Sequence, residues 1–259
     1  MKVLNPNEIC SFKQNLPHNC IYTNYFSPIQ KPLLLSQTQK TLIFLKLIES
    51  FYQMYFITSD LKDFDTTLKN LPFDNLSLHI VQKGELESNL KNIIQKYFKL
   101  EGKYEKMLIQ TKNLQLKMKP IPEPNNIFYA TQNDLDFIHQ SLYRDFDIRF
   151  DHLPDKKTII ELLKNQQAIV IKEDSIIKAY CIYTLNAKTA HFNYLLNLEA
   201  MPFEIIALME KYYQDMKKKN IQYIYLWVDV IKNKRVKAMH IKYGYQSSNI
   251  FNYVFNQIK

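Results

Sequence analysis

The segment Arg144-Asp-Phe-Asp-Ile-Arg-Phe-Asp-His152 gathers Asp145, Asp147, Asp151 and His152 within a single short stretch. Carboxylates and an imidazole at that density can hold a cationic amine. The same acids can instead close on Arg144 and Arg149 as internal ion pairs of an exposed turn, which contributes little to stability. His240, on a predicted helix, reads by itself as a histidine facing solvent. His79, at the centre of a predicted strand, reads as a satisfied core residue. Cys10, Cys20 and Cys181 are widely spaced and odd in number, which suits reduced thiols better than a disulfide framework or a zinc site. No metal is expected.

The charge pattern narrows the classes of partner. The net charge of +9 is spread along the chain, five positive charges in residues 1–118 and four in 119–259. Only three of the 34 basic residues are arginine, the usual reader of bases and phosphates, so specific nucleic-acid recognition is not expected. Lys217, Lys218 and Lys219 close a predicted helix, where cations oppose the negative end of its dipole. An apolar share of 46% with 14% aromatics is that of a soluble globular protein. No apolar run approaches the roughly 18 residues of a membrane span, and the first ten residues carry no secretory pattern. The expected location is the cytoplasm, with no membrane partner.

Elements that would position these residues can be read from periodicity. A chain of 259 residues suits two domains, and the alternate prolines of Lys119-Pro-Ile-Pro-Glu-Pro-Asn-Asn126 mark a linker at 119–126. Before it, within 1–118, strands are predicted at 42–47 and 52–58, turning at Glu49-Ser50. A helix at 62–71, a strand at 76–82, a helix at 86–98 and a strand at 105–111 follow; the first 35 residues suggest no element. After it, 127–130 reads as a strand, and 135–146 and 156–163 as helices, the second capped by Asp155. Strands at 168–172, 176–185 and 190–197 turn at Asp174-Ser175 and at 186–188. Pro202 opens a helix to about 219, 223–230 is a strand, 233–243 a helix ended by Gly244, and 250–255 a last strand. Both halves are α/β.

The order β-α-α-β-β-β-α-β-α-β in 127–259 resembles the GNAT family of N-acetyltransferases. The stretch Leu226-Trp-Val-Asp-Val-Ile-Lys-Asn-Lys-Arg-Val-Lys-Ala-Met-His-Ile-Lys-Tyr-Gly-Tyr245 carries the resemblance: an LWV-type strand, Asn233, a short helix, then Tyr243-Gly244-Tyr245. It implies a mixed sheet flanked by helices, with acetyl-CoA as co-substrate in a cleft where the family's fourth strand splays from its fifth. Leu195, Leu196 and Asn197 would offer backbone groups to the pantetheine, one N–H polarising the thioester carbonyl. Phe203, Glu204, Ile205 and Ile206, with Asn233, would lie along the rest of the cofactor. His240 stands where the family has a tyrosine that protonates the departing thiolate, and an imidazolium can release a proton near neutral pH. Asp229 and Glu199 are candidates for removing the proton of a primary amine, small molecule or peptide, and the 144–152 loop falls where the family binds its acceptor.

One departure is sharp. The family's phosphate loop carries glycines, whereas 197–206 reads Asn-Leu-Glu-Ala-Met-Pro-Phe-Glu-Ile-Ile, with no glycine and two acids that repel an anion. Three peptide N–H groups after Pro202 could still serve. Two readings therefore stand: an acetyl-CoA-dependent N-acetyltransferase, and a non-catalytic GNAT-like binding or interaction module. The smaller N-terminal α/β half reads as an eroded second copy of the fold or as a frame for the substrate.

Overall fold

A computed structural model describes residues 2–17, 21–116 and 126–258, so the proline-rich linker lies outside it apart from Asn126, as does Cys20. The described chain forms two compact units, Met1–Tyr104 with Asn249–Lys259, and Glu105–Ser248. These bounds fall within strands, not at 119–126.

In the first unit, helix α1 (Pro6–Gln14) and strand β1 (Tyr22–Thr23) precede the strands β2 (Leu33–Gln37), β3 (Thr41–Ile48) and β4 (Phe51–Thr58). The β3–β4 register closes at Ile48↔Phe51, so Glu49 and Ser50 make the expected hairpin turn, with Glu49 at φ 45°. Helix α2 (Leu61–Lys69) starts where Asp60 accepts from the amides of Lys62 and Asp63. It leads to β5 (Leu76–Lys83), which runs parallel to β4 for three residue pairs, Tyr52↔Leu76 to Met54↔Leu78. Helix α3 (Ser88–Ile94) then ends well before residue 98, and β6 (Phe98–Gln110) is twice the predicted length. The apolar spacing of 86–98 reads as one helix, but Phe98 is drawn into the core as a strand residue. The first 35 residues, for which no element is predicted, supply α1, β1 and the start of β2.

The second unit adds β7 (Ile127–Tyr129), α4 (Leu135–Asp145), the short α5 (Ile148–Asp151), α6 (Lys156–Lys164), β8 (Ala168–Glu173), β9 (Ile176–Asn186) and β10 (Thr189–Asn197). Helix α7 (Pro202–Lys218), β11 (Tyr223–Asp229), α8 (Lys234–Lys242) and β12 (Gln246–Gln257) complete the chain, most of β12 pairing with β5 in the first unit. Strand order within the second unit is β6-β11-β10-β9-β8-β7, β6 taking part from Glu105 on. Asp174 and Ser175, both at positive φ, form the two-residue turn between β8 and β9 that suits the twist of a hairpin. Gly244 ends α8 at φ +100°, with the Tyr245 amide returning to His240 O at 3.1 Å. A Cβ there would stand 3.0 Å from the Asn113 carbonyl, which explains glycine at this turn.

Helices α4 and α6 cover one face of this sheet through Ile138, Leu142, Ile159 and Leu163. Helix α7 covers the other through Leu208, Met209, Tyr212, Tyr213 and Met216. Each such side chain contributes about 1.5–3 kcal/mol on burial, so both faces of β10 are held firmly.

Candidate functional site

Strands β10 and β11 run parallel but stay in register only from Thr189↔Tyr223 to His191↔Tyr225. Beyond that point β10 keeps its partner β9, through Leu195↔Cys181, Leu196↔Tyr180 and Asn197↔Ala179. Among the described residues no strand register joins its other edge. Asn193 is an extra residue in β10, a bulge between Phe192↔Tyr183 and Tyr194↔Ile182. A bulge reverses the alternation of side chains. Ala190 and Phe192 therefore join the core beneath α7, whereas Tyr194 joins the one beneath α4 and α6. The sequence signal for it, Asn193 inside His191-Phe-Asn-Tyr-Leu-Leu196, is easily passed over in an apolar run.

Tyr194 is the hinge of the site and was not predicted. Its hydroxyl donates to Asp151 O at 2.7 Å and His152 O at 3.1 Å, fixing the end of α5 against β10. His152 takes a left-handed turn there, φ 47°. The 144–152 loop thus divides into two parts. Asp145 is bound by Arg144 at 2.7 Å and Asp147 by Arg149 at 3.3 Å, the internal pairs of the simpler reading. Asp151 is turned inward. Burial raises its carboxyl to about 6, the charges of Asp147 and Asp229 push in the same direction, and an amide bond from Asp147 with the charge of Lys232 opposes them.

Asp229, 4% exposed, ends β11 with Oδ1 accepting from the amides of Ile231 at 2.8 Å and Lys232 at 3.0 Å. Those two bonds hold the carboxylate at the mouth of the fork, within electrostatic reach of Asp151. The Lys232 ammonium lies 5.4 Å from the centre of the Phe150 ring, tying the same two segments together. The structure therefore brings together one predicted acceptor residue, Asp151, and one predicted proton acceptor, Asp229. A pocket of about 440 Å³ is lined by His152, Thr158, Thr184, Asn193 and Tyr194. Thr184 donates to Asn193 Oδ1 at 3.1 Å, and Asn193 Nδ2 lies 3.0 Å from His191 Nδ1.

Other predicted residues stand apart. Glu199 is exposed and paired with Lys178 at 2.6 Å, and that bond holds its carboxyl below the usual range, unlike a base for neutral pH. His240 is 3% exposed, packed against Phe192 and Tyr245, and its Nδ1 has no partner. Burial pushes its imidazole down to about 4. The ring is neutral at pH 7 and does not supply the imidazolium expected of it. Asn233 is exposed, and its side chain makes no cap to α8.

The turn before α7 does not fit a pyrophosphate. Asn197 closes it upon Ala200, accepting from the Ala200 amide at 2.9 Å. Glu204 places its own carboxylate at the helix start, accepting from Met201 N at 2.8 Å and from Asn126 Nδ2 at 2.8 Å. The amides of Glu204 and Ile205, expected to be free, both donate to Met201 O. Phe203 projects into solvent and Ile205 packs on the core, while Ile206 is half-buried. By contrast, the edge of β10 at Leu195–Asn197 fits an amide-bearing chain, because strand edges bind by main-chain hydrogen bonds.

No family model matches the sequence, and no curated protein matches it. The structure is similar to a GCN5-related N-acetyltransferase from Sphaerobacter thermophilus, at a TM-score of 0.58 and 10% identity over 85% of this chain and 77% of that one. It is similar to a functionally unknown conserved protein from Staphylococcus epidermidis, at 0.54 and 16% identity over 88% and 95%. A GNAT-family acetyltransferase from Colwellia psychrerythraea aligns at 0.50 and 8% identity over 85% and 86%. The chain has a GNAT-like fold, and the likeness extends beyond the 127–259 that carried the resemblance in sequence.

Proposed function

We propose that the second unit is an acetyltransferase site that moves an acetyl group from acetyl-CoA to a primary amine. The observation that carries this reading is the fork between β10 and β11, open beyond His191↔Tyr225 with Asp229 at its mouth. A fork of this kind exposes main-chain donors and acceptors for an amide-rich donor substrate on one side. It sets carboxylates for the amine on the other.

Asp151 and Asp229 hold the incoming ammonium, and Asp151, at about 6, takes its proton. That affinity suits a general base near neutral pH, ionised yet still able to retain a proton. Tyr194 does not react. It positions Asp151 by gripping the backbone on either side of the loop's last turn. The neutral His240 forms part of the floor beneath Phe192, so the proton required by the leaving thiolate comes from water or from the amine's second N–H.

The test is release of free thiol from acetyl-CoA across a panel of primary amines. Release that requires the amine, and that falls in folded Asp151→Asn and Asp229→Asn variants, supports the reading. A second reading, a GNAT-like module that binds without catalysis, is favoured by Glu204, whose carboxylate occupies the place a phosphate would take at α7. Absence of turnover, together with no calorimetric binding of acetyl-CoA at millimolar concentration, would establish it in place of the first.

A further inference from the structure

A second pocket lies at the other end of β10 and β11. It has a volume of about 550 Å³ and is built from the β9–β10 turn, the end of α7, the start of β11 and residues 110–112. Tyr223 and Asp229 bound β11, and six residue steps of about 3.3 Å separate this pocket from the carboxylates by about 20 Å. Lys112, Lys188 and Lys217 line it, and no acid does. Among the described residues none of the three ammonium groups makes an ion pair or hydrogen bond.

The rest of the lining has the same character. Gln110, Asn220 and Gln222 present carboxamides. Thr111, 4% exposed, has a hydroxyl without a partner. Three carbonyls at the C-terminus of α7 are already used. Asp215 O accepts from Lys219 N, Met216 O from Ile221 N and Lys217 O from Asn220 N. The Lys188 carbonyl accepts from Gln222 N and Tyr223 N. Three like charges around one cavity repel each other, and only Lys217 has a compensating role, opposite the negative end of the α7 dipole. An anion of matching charge removes that repulsion.

We propose that this pocket binds a small molecule carrying two phosphoryl groups. Two such groups bring about −3 to −4 at pH 7, which three ammonium groups balance, and the amides and hydroxyl supply directed donors to the remaining oxygens. An open pocket of about 550 Å³ suits a small ligand better than a polymer, which would need a continuous basic track. The inference is independent of the acetyl-transfer reading, because none of its residues lies near Asp151, Asp229 or Tyr194.

The probe is inorganic pyrophosphate, titrated calorimetrically into the full-length protein at low ionic strength. One-to-one saturable binding below about 1 mM is expected. The Lys188→Gln/Lys217→Gln double variant should weaken it at least about tenfold, and Lys157→Gln on α6 should leave it unchanged. Circular dichroism establishes that the variants fold. No saturation at 10-fold higher concentration, or equal affinities in pocket and control variants, would overturn the proposal. Two further results would also overturn it. One is displacement of acetyl-CoA by pyrophosphate, which would make the pocket part of the donor site. The other is binding of single-stranded RNA through these lysines in the absence of pyrophosphate binding.

Discussion

The two units contain the same local device and use it in opposite ways. In each, a helix connects two parallel strands that stay in register for three residue pairs and then part: β4 and β5 through α2, β10 and β11 through α7. In the first unit the fork is filled by the chain itself. β1 pairs with β4 at Tyr22↔Thr58 and Thr23↔Ile57, and Asn24 follows it into the opening. Its amide donates to Met54 O at 3.0 Å and His79 O at 2.9 Å, and its oxygen accepts from Phe56 N at 2.8 Å. One buried carboxamide satisfies both strands where their own pairing ends. In the second unit the equivalent edge carries no such strand among the described residues, and carboxylates stand at its mouth. A parallel fork leaves main-chain groups unpaired in either case. Whether it binds a ligand or stabilises the fold depends on whether the sequence supplies its own plug.

At the open fork the loss should be of activity. Asp151→Asn and Asp229→Asn should each lower kcat/KM for acetyl transfer by about 10²–10⁴, the range of a general base, with unchanged circular dichroism. Retention of full rate in either variant would remove that carboxylate from the reaction. At the plugged fork the loss should be of stability. Asn24→Ala leaves three buried backbone groups without their partner, each worth about 1–3 kcal/mol when stranded, so a total near 3 kcal/mol is expected from urea unfolding. A cost below about 0.5 kcal/mol would mean that the fork does not need its plug.

Tyr194→Phe should destabilise the protein by about 1 kcal/mol and reduce kcat by more than that loss accounts for, because Asp151 is no longer held in place. Normal kcat with reduced stability would limit Tyr194 to packing. The pH dependence of stability separates two buried groups of opposite sign. Asp151, at about 6 when folded and about 4 when unfolded, contributes stability that is complete below pH 4 and lost as pH rises through 6. His240, at about 4 when folded and about 6.5 when unfolded, contributes stability that is complete above pH 6.5 and lost as pH falls towards 4. Urea midpoints between pH 4 and 8 should lose the first trend in Asp151→Asn and the second in His240→Phe. Smallest of all, Glu199→Gln should leave both melting temperature and rate unchanged, since it removes only an exposed ion pair with Lys178.

Local chemistry made much of the second unit legible. Alternation of apolar residues placed β8, β9, β10 and β11, Asp174-Ser175 set a hairpin turn, and Gly244 ended α8 because only a residue tolerant of positive φ fits there. Asp229 and the acidic loop were likewise visible as candidates. Each of these depends on neighbours within a few residues.

What required tertiary structure was every choice between equivalent side chains. Asp145, Asp147 and Asp151 share a type and a loop, yet two are neutralised by arginines and one is raised by burial near Asp229, more than seventy positions away. His240 occupies the position of a proton donor, but its charge state is decided by the residues packed upon it, Phe192 and Tyr245. Asn24, in a segment without sequence periodicity, became the plug of a fork formed by strands that begin twenty-seven and fifty-two positions later. Periodicity and turn preference are short-range and survive in the sequence alone. Desolvation, charge coupling and the filling of a fork are set by what the folded chain places alongside.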